Sequence, residues 1–461
     1  MRRKNLVRSA AVGLAFVLVA AACGDDSDSD SAATTAGAAT TGAAAATTAA
    51  AADTTAAAGG ETLQVDTAAC PPEATTPLAD GEDIVIGITV PLTGPLAAFG
   101  AIPQGMTVYF DKVNAAGGID GHNVVLISKD DAYDPNKTPP LVTELIEQDK
   151  MMASLLQVGT PNVAATRALY EESCTPQLYV GTGFPAWGDP TAHQWTIGGI
   201  LAYNTEAVMW ADFIAEQKPG ATVAQLVFNN DFGKAYQTTF EAIAPEKGLE
   251  VVETQLHEGT ATAIDNEITT LLAANPDVII GETTGAFCPK LFAGLAAGGY
   301  QGIVIISATC ASVASFFKPV DPAGNGVYIL GQQKDPSDPQ WAEDPPMVEY
   351  KADMAEFGES LDPNNGQHLT GYNLAALMVD TLERAAALDG GLTRANVMNA
   401  AWATNFKVPL ILGGTFHVDG ITDAYGAEYA AMLQYDAATG SLAATDLVFD
   451  VEGATGVFEA S

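Results

Sequence analysis

The chain has 461 residues, enough for two or more domains with sizeable cores, and 48% of them are hydrophobic. Its 19 basic residues face 56 acidic ones, a formal net charge of -37. Such a surface repels nucleic acid and anionic membrane and argues against both as direct partners, the acidity itself reading as a solubility or salt-adaptation trait.

Residues 1–22 have the layout of an export signal. MRRKNLVRS is basic, AAVGLAFVLVAAA is apolar, and Cys23-Gly24 follows at once. This resembles a lipoprotein signal, in which Cys23 is acylated and anchors the protein to the outer face of the cell membrane. Lipoprotein signals usually carry Leu or Val three residues before the cysteine. Here Ala20 stands there and Val19 one further back, so plain signal-peptidase cleavage stays open. Residues 23–60 are mainly Asp, Ser, Thr, Ala and Gly, too poor in apolar bulk to fold, and read as a flexible lipid-anchored linker. No later stretch offers about 20 continuous apolar residues, so no second encounter with the membrane core is expected.

Residues 84–90, IVIGITV, are continuously apolar and β-branched, the mark of a strand buried on both faces of a parallel sheet. Pro91-Leu92-Thr93-Gly94-Pro95 breaks the chain, a long helix follows from Ala97, Gly117-Gly118 stops it, and Val124 starts a second strand. The turn after Val90 therefore lies at a strand's carboxyl end, where open α/β sheets hold ligands. Alternation continues: a helix over 138–150, a strand over 153–158, a helix over 161–172 and a strand over 177–180. Residues 190–200, ending WTIGGI, read as a crossing segment. A second series then runs through helices at 205–217, 233–247, 264–274 and 287–298. Its strands fall at 222–228, 249–256, 277–281, 303–308 and 326–330. A Pro- and Asp-rich stretch from about 331 precedes helices over 367–388 and 393–402, and strands at 427–435 and 445–450 look antiparallel. Two βα series joined by crossings predict an α/β protein of two doubly wound, Rossmann-like lobes with a cleft between them.

PLTGPLAAFG and NAAGGIDGHNVVLISKDDAYDP resemble the opening of the leucine/isoleucine/valine-type solute-binding proteins of bacterial ABC importers. The likeness runs in element order and loop chemistry over roughly residues 82–435. It implies a type I periplasmic binding protein-like fold, with 82–201 and 331–412 as one lobe and 202–330 and 413–461 as the other. It also implies capture of a small molecule such as a branched-chain amino acid, an amide or a related carboxylate, without a cofactor. A monomer delivering that solute to a branched-chain-type ABC permease is the expected arrangement. A ligand-sensing subunit of a membrane signalling partner would use the same lobes.

Small polar or Gly-rich sequences recur at the predicted strand ends, so Thr93, Gly181, Thr182, Gly183, Thr283 and Thr309 are candidate ligand contacts. Thr160-Pro161 opens a helix whose free N–H groups suit an anion. By resemblance, Thr160 and the 181–183 loop match the family's carboxylate-binding positions and Phe99 an aromatic cover on the ligand. Phe232, in NNDFG, also aligns with a family motif, and Tyr203 lies near a strand end; Phe184, Trp187 and Phe287 are further aromatics there. Where amino-acid binders place acids for the ligand ammonium, this chain has Leu201 and Thr309-Cys310, leaving Glu282 as the nearest carboxylate. That points to an uncharged ligand or an acid lacking an α-amino group, since an unpaired ammonium in a closed cleft costs several kcal/mol.

Cys70, Cys174, Cys288 and Cys310 remain after Cys23, an even number suited to an oxidising compartment. Cys288 and Cys310 both follow predicted strand ends in one half of the chain and are expected to pair, leaving Cys70 for Cys174; free thiols are the alternative. No CxxC or His pair suggests a metal. No GxSxG, HExxH, P-loop or GxGxxG supports an enzyme, and the neighbouring Asp130 and Asp131 of one strand face opposite ways, so a structural or ligand-anchoring role is expected for them.

Overall fold

The computed structural model describes residues 61–451. The expected signal, Cys23, the linker and the last ten residues lie outside that range. Among the described residues no helix is long and apolar enough to cross a membrane, and no cluster of His, Cys, Asp or Glu is placed to hold a metal ion.

A first parallel sheet is built from β1 (Ile84–Val90), β2 (Val124–Asp130), β3 (Ala153–Leu155), β4 (Gln177–Val180) and β5 (Thr196–Gly198), in the order β2-β1-β3-β4-β5. A second sheet begins with β6 (Thr222–Phe228), β7 (Glu250–His257), β8 (Val278–Glu282), β9 (Ile303–Ile306) and β10 (Tyr328–Gly331), parallel to one another. Its order, β7-β6-β8-β9-β10, repeats that of the first sheet. A two-residue hairpin of β11 (Asn405–Phe406) and β12 (Phe416–His417) stands apart. Finally β13 (Tyr429–Asp436) and β14 (Ser441–Asp450) add antiparallel to the edge beyond β10. Each parallel run reverses direction once, between β1 and β3 and between β6 and β8. Those are the switch points that leave a crevice at the carboxyl edge.

Burial explains the strand sequences. Every residue of β4 and β8 is buried, whereas the edge strands β2 and β7 alternate with exposed positions. Helices α1 (Ala101–Ala115), α2 (Thr138–Glu147) and α3 (Thr160–Ser173) flank the first sheet; α4 (Tyr203–Gln217), α5 (Asp231–Ile243), α6 (Asp265–Ala273) and α7 (Phe287–Ala297) flank the second. Then α8 (Pro345–Phe357), α9 (Gly366–Ala386) and α10 (Arg394–Trp402) return to the first body, α8 and α9 against α1 and α10 against α9. The α1–α9 contact is backbone-close. A Cβ on Gly105 would meet the His368 carbonyl, and one on Gly371 the Ile102 carbonyl.

Three local expectations need correction. Residues 196–198 are not only a crossing; they form β5, because Gln177 N–H donates to the Trp195 carbonyl (2.8 Å) and Thr196 Oγ1 to Gln177 Oε1 (2.9 Å). The strand expected over 153–158 stops at Leu155, since Leu156 turns to φ 51°. The Pro- and Asp-rich stretch holds α8, whose two prolines fill the first turn where their missing N–H costs nothing, capped by Asp344.

Both expected disulfides are formed. Cys70 joins Cys174 at the end of α3 (Cα–Cα 5.6 Å), and Cys288 at the start of α7 joins Cys310 after β9 (6.3 Å). On the loop-closure model the first is worth about 5 kcal/mol and the second about 3 kcal/mol.

Candidate functional site

A cavity of about 200 Å³ lies between the carboxyl edges of the two sheets. From the first body the loops after β1, β3 and β4 supply Phe99, Gly159 and Gly181; the crossing after β5 supplies Leu201, and the start of α4 in the second body supplies Tyr203. From the second body come Phe232, Thr284 and Thr309. The remaining wall is a stripe of α9 and the loops around the hairpin. Contacts across the cleft hold these walls together. Ala286 N–H donates to the Pro95 carbonyl (2.9 Å), Tyr133 stacks on Phe228 (5.9 Å), and Ser312 and Ser315 donate to the Asn365 side chain that caps α9. The chain crosses between the bodies side by side: Leu201 N–H reaches Gln332 Oε1 (3.3 Å), and Leu412 N–H the Gln332 carbonyl (2.9 Å).

At one end of the cavity the polar groups satisfy each other. Thr160 and Thr182, both buried, share a 2.6 Å hydroxyl hydrogen bond. The Tyr203 phenol lies against Thr182, Gly183 and Thr160, and burial pushes it up to about 12. Tyr203 N–H donates to the Gly183 carbonyl (2.7 Å), and its ring meets Phe232 edge-on at 5.0 Å. Thr160, Thr182 and Gly183, expected to face a ligand carboxylate, therefore hold the protein's own phenol, and of that loop only Gly181 lines the cavity.

Glu206, one turn into α4, also lines the cavity and is 1% exposed. Its Oε2 accepts from the Tyr236 hydroxyl (2.6 Å) and its Oε1 from Ala308 N–H (2.7 Å). Burial nevertheless raises its carboxyl to about 8. With Glu428, Glu206 puts two carboxylates in the lining, so the expectation that Glu282 was the nearest one is corrected. Glu282 is fully buried beneath the site, accepts from Gln225 Nε2 (2.7 Å), and is absent from the lining. Sequence periodicity carried the missed signal. Tyr203, Glu206, Ala207, Trp210 and Ile214 share one helical stripe, so Glu206 falls on the buried face.

Other polar groups in the lining have no protein partner. Both side-chain amide atoms of Asn373 and the hydroxyl of Thr284 are buried without a hydrogen bond, and both residues line the cavity. Thr283, the expected contact, instead pairs with His257 Nε2 (2.7 Å), because neighbouring residues leaving a strand point to opposite sides. Thr93 lies outside the lining as well. It is exposed and donates to Asp130 Oδ2 (2.7 Å), fixing the turn after β1. Asp131 accepts from Asn162 and Tyr133 N–H and likewise anchors a loop. Phe99, Gly181, Tyr203, Phe232 and Thr309 are thus brought together, with Leu201 among them; Phe184, Trp187 and Phe287 pack elsewhere.

Residues 83–440 match the sequence model of a family described as periplasmic binding protein. Among curated relatives, Leu/Ile/Val-binding protein homolog 3 of Brucella melitensis is 27% identical over 203 residues, 43% of this chain and 53% of that protein. The chain spans about half the length of the first curated relatives it matches. A fatty acid ABC transporter substrate-binding protein from Thermomonospora curvata superposes with TM-score 0.72 at 21% identity, over 83% of this chain and 96% of that one. A branched chain amino acid ABC transporter protein from Thermus thermophilus with bound valine gives 0.72 at 18% identity, over 81% and 97%. Both are likenesses of fold: two α/β lobes with parallel sheets, the type I arrangement.

Proposed function

Because this chain belongs to the periplasmic binding protein family, we propose that it captures a small solute between its two α/β bodies and delivers it to an ABC permease of the branched-chain amino acid type. It is an extracytoplasmic binding protein, not an enzyme. The observation that carries the binding reading is the cavity itself; delivery to a permease rests on the family. It sits at both switch points, is walled by both bodies, and keeps partnerless polar groups that a solute would satisfy. The moving lobes are residues 82–201 with 331–412, and 202–330 with 413–461. Solute stabilises the closed form, and that form is the one the permease receives. We assign Phe99, Gly181, Tyr203, Phe232 and Thr309 to the site, and add Glu206, Thr284 and Asn373.

The solute class is an amino acid, amide or related carboxylate; the names and titles of the relatives include Leu/Ile/Val-binding and fatty acid transporter proteins. Cys23 carries the lipid that keeps the protein at the membrane. A thermal-shift screen with leucine, valine, short amides and carboxylates tests the binding. A ligand at a thousand times its dissociation constant stabilises by about 4 kcal/mol, so a panel without any shift counts against the reading. Incorporation of labelled palmitate into the wild-type chain but not into Cys23→Ser tests the anchor.

A further inference from the structure

We propose that the solute is an elongated, mainly apolar molecule with an uncharged head bearing adjacent hydrogen-bond donor and acceptor, such as a carboxamide, lying along α9 with that head on Asn373. This deepens the binding-protein reading and rests on it.

Three observations exclude the alternatives. The hydroxyls and backbone that would receive a carboxylate are closed on the Tyr203 phenol. Among the described residues the cavity lining contains no Lys, Arg or His, so an anion placed there would lie without countercharge. An ammonium fares little better. Both Glu206 oxygens already accept from Tyr236 and Ala308, burial favours the neutral acid, and Glu428 has partners of its own.

What the cavity does offer is a free amide. Asn373 is 2% exposed, and neither its nitrogen nor its oxygen has a partner. A side-chain amide presents donor and acceptor side by side, and the group that matches both at once is another amide. The Thr284 hydroxyl is a second unpaired group in the lining. Length comes from α9. Gln367, Thr370, Asn373, Leu374 and Leu377 all line the cavity, with about 6 Å of aliphatic stripe beyond Asn373 at 1.5 Å per residue. This face of α9 changes from polar to aliphatic along its length, and Val408, Ile411 and Phe416 complete the wall. A cavity of this volume holds on the order of ten water-sized groups, which suits a chain of about eight carbons with a small head.

The test is calorimetric titration of the exported chain, residues 24–461, stripped of cargo by unfolding and refolding. The four probes are octanamide, octanoate, octylamine and leucine. Octanamide is expected to bind tightest, by at least tenfold. Asn373→Leu should weaken octanamide at least tenfold while raising the melting temperature of the ligand-free chain, a readout that also certifies folding. Octanoate, octylamine or leucine binding as tightly as octanamide overturns this inference and leaves the binding-protein reading standing. No binding by any of the four overturns it too, and the proposed function falls with it only if the wider thermal-shift panel is also silent.

Discussion

The two ends of the cavity are built from similar residue types and differ in bookkeeping. Around Tyr203 a cluster of buried hydroxyls and one backbone loop satisfy one another. At Asn373 and Thr284 an amide and a hydroxyl are buried at comparable depth and satisfy nothing. A buried unpaired polar group costs about 1–3 kcal/mol, and a folded chain retains it where something else supplies the partner. The closed end is framework, and the open groups are the ones we propose a solute completes.

The largest perturbation of that contrast is Tyr203→Ala. It removes a fully packed ring and opens the Thr160–Thr182 pair, so stability should fall by about 3–5 kcal/mol in urea unfolding. Carboxylate binding should appear in the same variant, since the hydroxyls regain a free face. Gly371→Ala acts on the other end. Its methyl meets the Ile102 carbonyl, pushes α9 off α1 and should cost about 1–3 kcal/mol, with octanamide binding weakened more than the Tyr203 cluster is disturbed.

Glu206, whose partner Tyr236 stacks on Tyr203, gives the contrast a pH dependence. Its carboxyl is raised from 4.5 to about 8, so between those values the folded state holds a proton that the unfolded state has released. Stability should therefore decline as pH rises through that window, by at most about 1.4 kcal/mol per unit, and level off above it. Glu206→Gln should flatten the decline; identical profiles for the two proteins would show that the carboxyl is not held up. The smallest effect is Asn373→Leu, expected to stabilise the ligand-free chain by about 1 kcal/mol in the same unfolding assay.

The fold was largely legible because central strands of parallel sheets are written as unbroken apolar runs. IVIGITV, QLYV and VIIGE each announce themselves. Short elements were not. β5 is three residues long and is recruited by contacts with Gln177 rather than by its own pattern, and α8 opens on two prolines that look like breakers in sequence. For the site, loop chemistry at strand ends located the crevice, and Phe99, Gly181, Tyr203, Phe232 and Thr309 indeed line it. Sequence could not say that a phenol would sit on Thr160 and Thr182, because that pairing joins the loop after β4 to the first turn of α4. The inward carboxylate of Glu206 was readable from helical spacing alone. Asn373 was not, because nothing local marks an amide as partnerless.

The bridge between Cys70 and Cys174 fixes how the molecule is held as well as how stable it is. Residues 61–78 lie along the first body, with Val65 N–H on Asn399 and Leu78 N–H on the Leu392 carbonyl. Any pull on the chain ahead of them reaches Cys70 and passes through a covalent bond into the end of α3. The segment is thereby tied to the first body covalently as well as by hydrogen bonds.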